Sequence, residues 1–255
     1  MKNNKKLWIG FLLIGALLLA ACGSGAATAT EDGGGGQEPA ATQGSGDGGT
    51  ETPASTGDLV LDPANATGDN ALAVVGALYE GLVKDVDGTI TPALSTSNTV
   101  SEDGLDYIFT LRPGVTFHDG SALNADVVVL NFNRWFDPAD PNRGSGDFAA
   151  WVENFGGFKG ELNEEGKPKS HYDGIEKVDE LTVLVHLNTV DVDFLSKLTN
   201  PAFSIVSASA FAGSDGGTGA YQFASSDGTN LTLEPFAGYW DAAMVPTESM
   251  TVPAP

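Results

Sequence analysis

Between Gly23 and Gly57 no side chain is aromatic and none is an aliphatic larger than alanine. The tract is mostly glycine, threonine, alanine and serine with scattered glutamate and aspartate. It cannot bury enough apolar surface to offset the entropy of ordering its backbone. It reads as a flexible tether, so whatever folds in this chain begins near Asp58. The rest of the composition agrees. Every phenylalanine except Phe11 and every tryptophan except Trp8 lies in residues 58–255.

Ahead of the tether, Lys2, Lys5 and Lys6 precede a largely apolar run from Leu7 to Ala20. That run is short for a transmembrane helix, which needs roughly 20 apolar residues, and suits a secretory signal. It ends in Leu19-Ala20-Ala21-Cys22, which resembles the lipobox of bacterial lipoproteins. There the cysteine is acylated and becomes the new N-terminus; two or more acyl chains anchor stably. The alternative is an ordinary signal peptide with an incidental cysteine. The expected organisation is a lipoprotein signal peptide at 1–21, a lipid-anchored linker at 22–57 and a folded part at 58–255. Membrane lipid is thus an expected partner through Cys22, with the folded part on the outer face of the cytoplasmic membrane.

The chain carries 34 acidic and 12 basic residues, a formal charge of −22. Cleavage before Cys22 removes three lysines and no acid, taking the charge to −25. This balance argues against nucleic acid and against a basic face on anionic lipid. A single cysteine excludes an internal disulfide framework and any multi-cysteine zinc site.

Within the folded part, Leu72, Val75, Leu78, Tyr79 and Leu82 predict one face of a helix over 69–83, with Asp69 as N-cap. Asp87-Gly88 predicts a hairpin turn. Asp106–Arg112 alternates, with Tyr107, Phe109 and Leu111 facing one way, as in a strand. Leu123–Phe136 predicts a helix burying Val128, Phe132, Trp135 and Phe136, capped by Ser121 or Asn124. Residues 137–170 read as irregular. Strands return at Leu181–Leu187, Ala220–Ala224 and Asn230–Pro235. The pattern is that of a mixed α/β domain.

The sequence offers no catalytic constellation. His118, His171 and His186 are far apart, and none has an H-x-x-x-H partner. His186 sits mid-strand and reads as a core or cross-strand residue. No G-x-S-x-G follows the linker. Gly216-Gly217-Thr218-Gly219 lacks the Lys-Ser/Thr of a phosphate cradle and reads as a tight turn before a strand. Asp85-Val86-Asp87-Gly88 lacks the later ligands of a calcium loop. No enzyme activity, metal or cofactor is expected.

Several motifs nevertheless line up in order: Leu61-Asp62-Pro63-Ala64, Tyr79-Glu80-Gly81-Leu82-Val83, Pro92-Ala93-Leu94 and Asp103-Gly104. Then come Tyr107-x-Phe109-x-Leu111-Arg112-x-Gly114-Val115-x-Phe117-His118-Asp119-Gly120-Ser121 and Ala125-Asp126-Val127-Val128 through Asn133-Arg134. Val178-Asp179, Gly217-Thr218-Gly219-Ala220-Tyr221 and Tyr239-Trp240 complete the series. Together they resemble the family-5 extracellular solute-binding proteins, the peptide- and nickel-type binding components of ABC importers. Gly120 is expected to supply the positive φ of a turn, making His118 and Asp119 turn residues rather than ligands.

The resemblance implies a periplasmic-binding-protein-like (type II) α/β fold, two lobes closing around a cleft, with a mixed sheet and flanking helices in each. Members of that family are about twice as long as this chain, so the match is to the N-terminal lobe only, with the second lobe missing. Residues 251–255 are expected to lead into that second lobe. The loop after L-D-P, here Thr67, Gly68 and Asp69, is expected to reach the cleft, as are Phe148 and the nearby Trp151. The acid that takes a peptide's amino terminus belongs, on this resemblance, to the second lobe. The expected partners are a peptide or small solute and the ABC permease subunits, with the binding protein monomeric. Amine-bearing solutes suit so acidic a receptor. The competing expectation is a truncated lobe acting as a surface interaction lipoprotein without solute binding.

Overall fold

The computed structural model describes residues 61–212 and 215–255, so the signal segment, Cys22 and the 22–57 linker lie outside the described residues. In chain order the elements are α1 (Asp69–Leu78), β1 (Val83–Val86), β2 (Thr89–Pro92), β3 (Ser95–Val100) and β4 (Asp106–Leu111). Next are α2 (Ala125–Phe136), α3 (Ala149–Phe155), β5 (Tyr172–Asp179), β6 (Thr182–Leu187) and the short α4 (Phe194–Lys197). The strands β7 (Tyr221–Ser226), β8 (Asn230–Pro235) and β9 (Met250–Pro253) close the series.

The principal core lies under an antiparallel sheet of order β3-β4-β6-β5. Its register pairs Asp106 with His186 and Phe109 with Val183. The alternation read from the sequence puts Tyr107, Phe109 and Leu111 on the buried face. Across that face lies α2, begun by Asn124, whose Oδ1 accepts from the Val127 N–H at 3.0 Å. The expected Val128, Phe132, Trp135 and Phe136 are all buried. Asn124, not Ser121, is the cap; Ser121 instead bonds Asp119 in the preceding turn.

A second core forms where α1 packs on the antiparallel sheet β7-β8-β9, with Val74, Val75, Leu78, Leu231, Leu233 and Val252 inside. Three expectations change here. The helix ends at Leu78, because Tyr79 turns extended (φ −129°) and Glu80 bridges to Ile205. Its buried stripe is Ala71, Val74, Val75 and Leu78, an i, i+3, i+4, i+7 set. Leu72 is 40% exposed, and Asp69 is the first helical residue rather than the cap, a position held by Gly68. The carboxylate still stands at the positive end of the helix.

Residues 251–253 do not leave the domain. They pair with β8, Val252 facing Leu231 and Thr251 facing Thr232. The turn at Asp87-Gly88 is as expected: both residues have positive φ (53° and 79°), which suits the twist of the β1-β2 hairpin. The stretch 137–170, expected irregular, contains α3, which begins at a left-handed Phe148 (φ 52°). Among the described residues no helix is long and apolar enough to cross a membrane.

Candidate functional site

The histidines each take a separate structural partner. The His118 side chain is 3% exposed, its Nδ1 at 2.7 Å from Asp215 Oδ1 and its Nε2 at 3.0 Å from the Gly219 carbonyl. Its ring meets Phe236 edge-on at 4.7 Å. Both ring nitrogens are thus engaged, and the nearby serines bond elsewhere. The Ser121 and Ser209 hydroxyls donate to Asp119, and Ser207 bonds Ser209. Burial pushes the Asp119 carboxyl up, but these hydroxyls and the Ser121 N–H together bring it down to about 2. His118 is therefore the bolt between the F-H-D-G-S turn and the G-T-G-A-Y segment, and the turn uses Gly120 at φ 81° as expected. His186 bonds its cross-strand neighbour Asp106 at 2.7 Å, and His171 lies 3.5 Å from Asp191. Among the described residues no three His, Cys, Asp or Glu side chains converge as a metal site requires.

The glycines of G-G-T-G have a different use from the turn expected. None has positive φ. A Cβ on Gly217 would strike the Leu78 carbonyl, and one on Gly219 would strike that of Ala77. Backbone contact with the end of α1 requires them.

The residues expected to line a cleft divide. Thr67, Gly68 and Asp69 are exposed at the start of α1. Phe148 and Trp151 are each 1% exposed, inside the principal core rather than on a surface. Trp151 packs on Phe155 (4.5 Å) and edge-on to Tyr172 (5.0 Å), and donates its indole N–H to the Gly157 carbonyl at 3.1 Å. Phe148 lies beneath Arg143, 4.1 Å from ring centre to guanidinium. Aromatics in a loop adjacent to a sheet core are drawn into it by the area they bury. The L-D-P loop and Phe148 do meet, through Asn65 Oδ1 accepting the Phe148 N–H at 3.1 Å.

The chemistry-bearing group that stands apart is Glu80 of Tyr79-Glu80-Gly81-Leu82. Its Oε1 accepts from the Tyr239 hydroxyl at 3.0 Å. Its Oε2 accepts from Thr218 Oγ1 at 3.1 Å and from the Trp240 indole at 2.9 Å. Burial pushes the Glu80 carboxyl above its ordinary value, outweighing these three donors and the Lys84 charge. Burial and the Glu80 charge together push the Tyr239 hydroxyl up as well. Trp240 is held in turn by Arg112, whose guanidinium sits 3.8 Å over the indole ring.

Glu80, Tyr239, Gly81 and Lys84 line a cavity of about 680 Å³ bounded by α1, β1 and the 198–204 segment. That volume lies within the range of small-molecule sites. Sequence reasoning quoted both Y-E-G-L and Y-W without seeing that they converge. The available signal was one acid inside the apolar run Ala77–Val83.

Residues 89–252 match the family described as bacterial extracellular solute-binding proteins, family 5 Middle. Over 75% of its length the chain is 34% identical to the glutathione-binding protein GsiB of Pectobacterium atrosepticum, covering 35% of that protein. The periplasmic binding protein DppA of Helicobacter pylori, solved with peptide STSA, is 29% identical with a TM-score of 0.58, over 72% of this chain and 38% of its own. The binding protein AgaA from A. tumefaciens R10, solved with agropinic acid, is 25% identical with a TM-score of 0.60, over 78% of this chain and 38% of its own. The chain thus spans 35% of the length of the curated relative it matches. These are solute-binding proteins, not enzymes. With a family match that takes in the β3-β4-β6-β5 sheet and nearly all of the β7-β8-β9 sheet, and with the fold of their solved members, the chain belongs to the family-5 bacterial extracellular solute-binding proteins and forms part of one lobe.

Proposed function

We propose that this chain is the substrate-binding component of an ABC importer, tethered to the outer face of the cytoplasmic membrane through acylated Cys22. It captures oligopeptides or similar small solutes in an interlobe cleft and hands them to the permease. The observation that carries this reading is the family match over residues 89–252. Two relatives support peptidic solutes, one being named for glutathione and one solved with a tetrapeptide. The work is binding alone: contacts close around the solute, and closure of the lobes presents it to the transporter. On this wall the exposed Thr67–Asp69 loop and the Glu80 cavity supply polar contacts, while the Phe148–Trp151 cluster supports the loop from beneath.

The test is saturation-transfer NMR on the mature chain with glutathione, tri- and tetrapeptides, and a disaccharide as control. This method registers even weak binding. Saturable signal from at least one peptide, and none from the sugar, is expected. Silence from every peptide, with circular dichroism showing a folded chain, overturns the reading in favour of a surface interaction lipoprotein.

A further inference from the structure

The cavity beside Glu80 places an acid and a base on one wall. All three hydrogen-bond partners of the Glu80 carboxylate are neutral: Thr218, Tyr239 and Trp240. An ionised carboxylate offers about four acceptor sites, so these partners leave room for roughly one more donor. No Lys, Arg or His nitrogen comes within ion-pair distance of Glu80 among the described residues. A charge withdrawn from water, hydrogen-bonded by neutral dipoles and with the Lys84 charge only at longer range, is further compensated by a cation in direct contact. Arg112 does not supply one, because its guanidinium is stacked on Trp240 and its Nε donates to the Ala93 carbonyl at 3.1 Å.

Lys84 lines the same cavity from β1, where its side chain is exposed and forms no ion pair among the described residues. Glu80 and Lys84 are four residues apart, so their Cα atoms lie within about 14 Å of each other.

We infer that this cavity is a zwitterion subsite, in which Glu80 receives a protonated amine of the solute and Lys84 receives a carboxylate of the same molecule. The inference deepens the solute-capture reading and rests on it. The amine is either the α-amino group of a peptide or a basic side chain. This acid is distinct from the one that the family resemblance assigns to a second lobe. Tyr239 and Trp240 act as positioning residues: they hold the carboxylate and contribute no charge.

The test compares four probes on the mature chain by the same NMR titration: Ala-Ala-Ala, its N-acetyl derivative, N-acetyl-Ala-Lys-Ala, and N-acetyl-Ala-Ala-Ala-amide. The fully blocked peptide is expected to bind about tenfold or more weakly than Ala-Ala-Ala. Loss on N-acetylation alone identifies the α-amino group as the cation. Recovery with the lysine peptide identifies the side chain. Glu80→Gln is expected to abolish the preference for a charged amine. Lys84→Met, at an exposed position, is expected to erase the preference for a free carboxylate.

Equal binding of all four probes by the parent chain overturns the inference and leaves solute capture standing, whether or not Glu80→Gln folds. Binding of none overturns both.

Discussion

Arg134 of α2 reaches back to Asp62 of the L-D-P motif in a two-pronged ion pair, Nη1 to Oδ2 at 2.9 Å and Nη2 to Oδ1 at 2.7 Å. The arginine side chain is 2% exposed and the aspartate 33%. Asp62 also accepts from the Ala64 N–H and from Asn65, so one carboxylate closes the first turn and ties it to α2. Asn65 then holds Phe148. Asp62→Ala strands a buried guanidinium and is expected to cost about 3–5 kcal/mol in urea unfolding. Arg134→Met should cost less, because the remaining carboxylate can be hydrated. The double variant should be more stable than the sum of the two losses predicts. Additive losses would show that the pair contributes nothing jointly.

Acid titration should separate two carboxylates of opposite sense. Burial pushes Asp62 up, but the Arg134 hydrogen bonds and charge, with Ala64 and Asn65, hold it below its ordinary 3.8. Its contribution is therefore complete above that value and is lost as pH falls through it. Glu80 is raised above 4.5, so the folded chain keeps a proton that the unfolded chain has released. Stability then falls as pH rises through the window above 4.5. Melting temperatures from about pH 3 to pH 8 should show Glu80→Gln gaining on the parent through that window. A constant difference across it would contradict the burial of this carboxyl.

Gly217→Ala and Gly219→Ala should each cost about 1–3 kcal/mol, because a methyl group meets the last carbonyls of α1. Gly76→Ala is the control. It lies inside α1 with open space where the Cβ would go, and should stabilise by about 0.5–1 kcal/mol. Thermal or urea unfolding reads all three.

Trp151→Ala should cost about 3–5 kcal/mol, as loss of a buried aromatic does. Asp69→Ala should cost less than about 1 kcal/mol, the worth of an acid at a helix start. We expect Asp69→Ala and Thr67→Ala to weaken peptide signals in the NMR assay while lowering the melting temperature by no more than about 4 °C. A Trp151→Ala chain that binds less but melts unchanged would place that indole at a ligand surface instead.

Cys22→Ala should release the protein into the medium or leave it unprocessed, and should abolish labelling by a radioactive fatty acid. A variant that remains membrane-bound at mature size would exclude acylation at this residue as the anchor.

Local features were readable wherever one residue decides them. Asn124 and the spacing of Val128, Phe132, Trp135 and Phe136 marked α2; Asp87-Gly88 marked the hairpin; the alternation of Tyr107, Phe109 and Leu111 marked β4. Segments with weak periodicity escaped. The helix α3 is seven residues long and starts from a left-handed phenylalanine, and only Tyr172 of the eight residues of β5 is buried. The candidate site escaped for another reason. Glu80 meets Thr218, Tyr239 and Trp240 across 138, 159 and 160 residues, and Arg134 meets Asp62 across 72. No local pattern encodes such meetings. The motifs could be quoted, but their convergence is a property of the fold.

The packing of α1 on β8 and β9 brings residues from both ends of the described chain into one core, and Asn70 donates to the Ala254 carbonyl 184 positions away. A ribosome delivers α1 well before β9. The second core therefore cannot seal during synthesis until β9 has emerged, whereas the β4-β6 sheet and α2 can assemble before it. Contacts this distant in sequence form slowly because a long loop must close first. Until then the Ala71, Val74, Val75 and Leu78 stripe of α1 has no sheet to cover it.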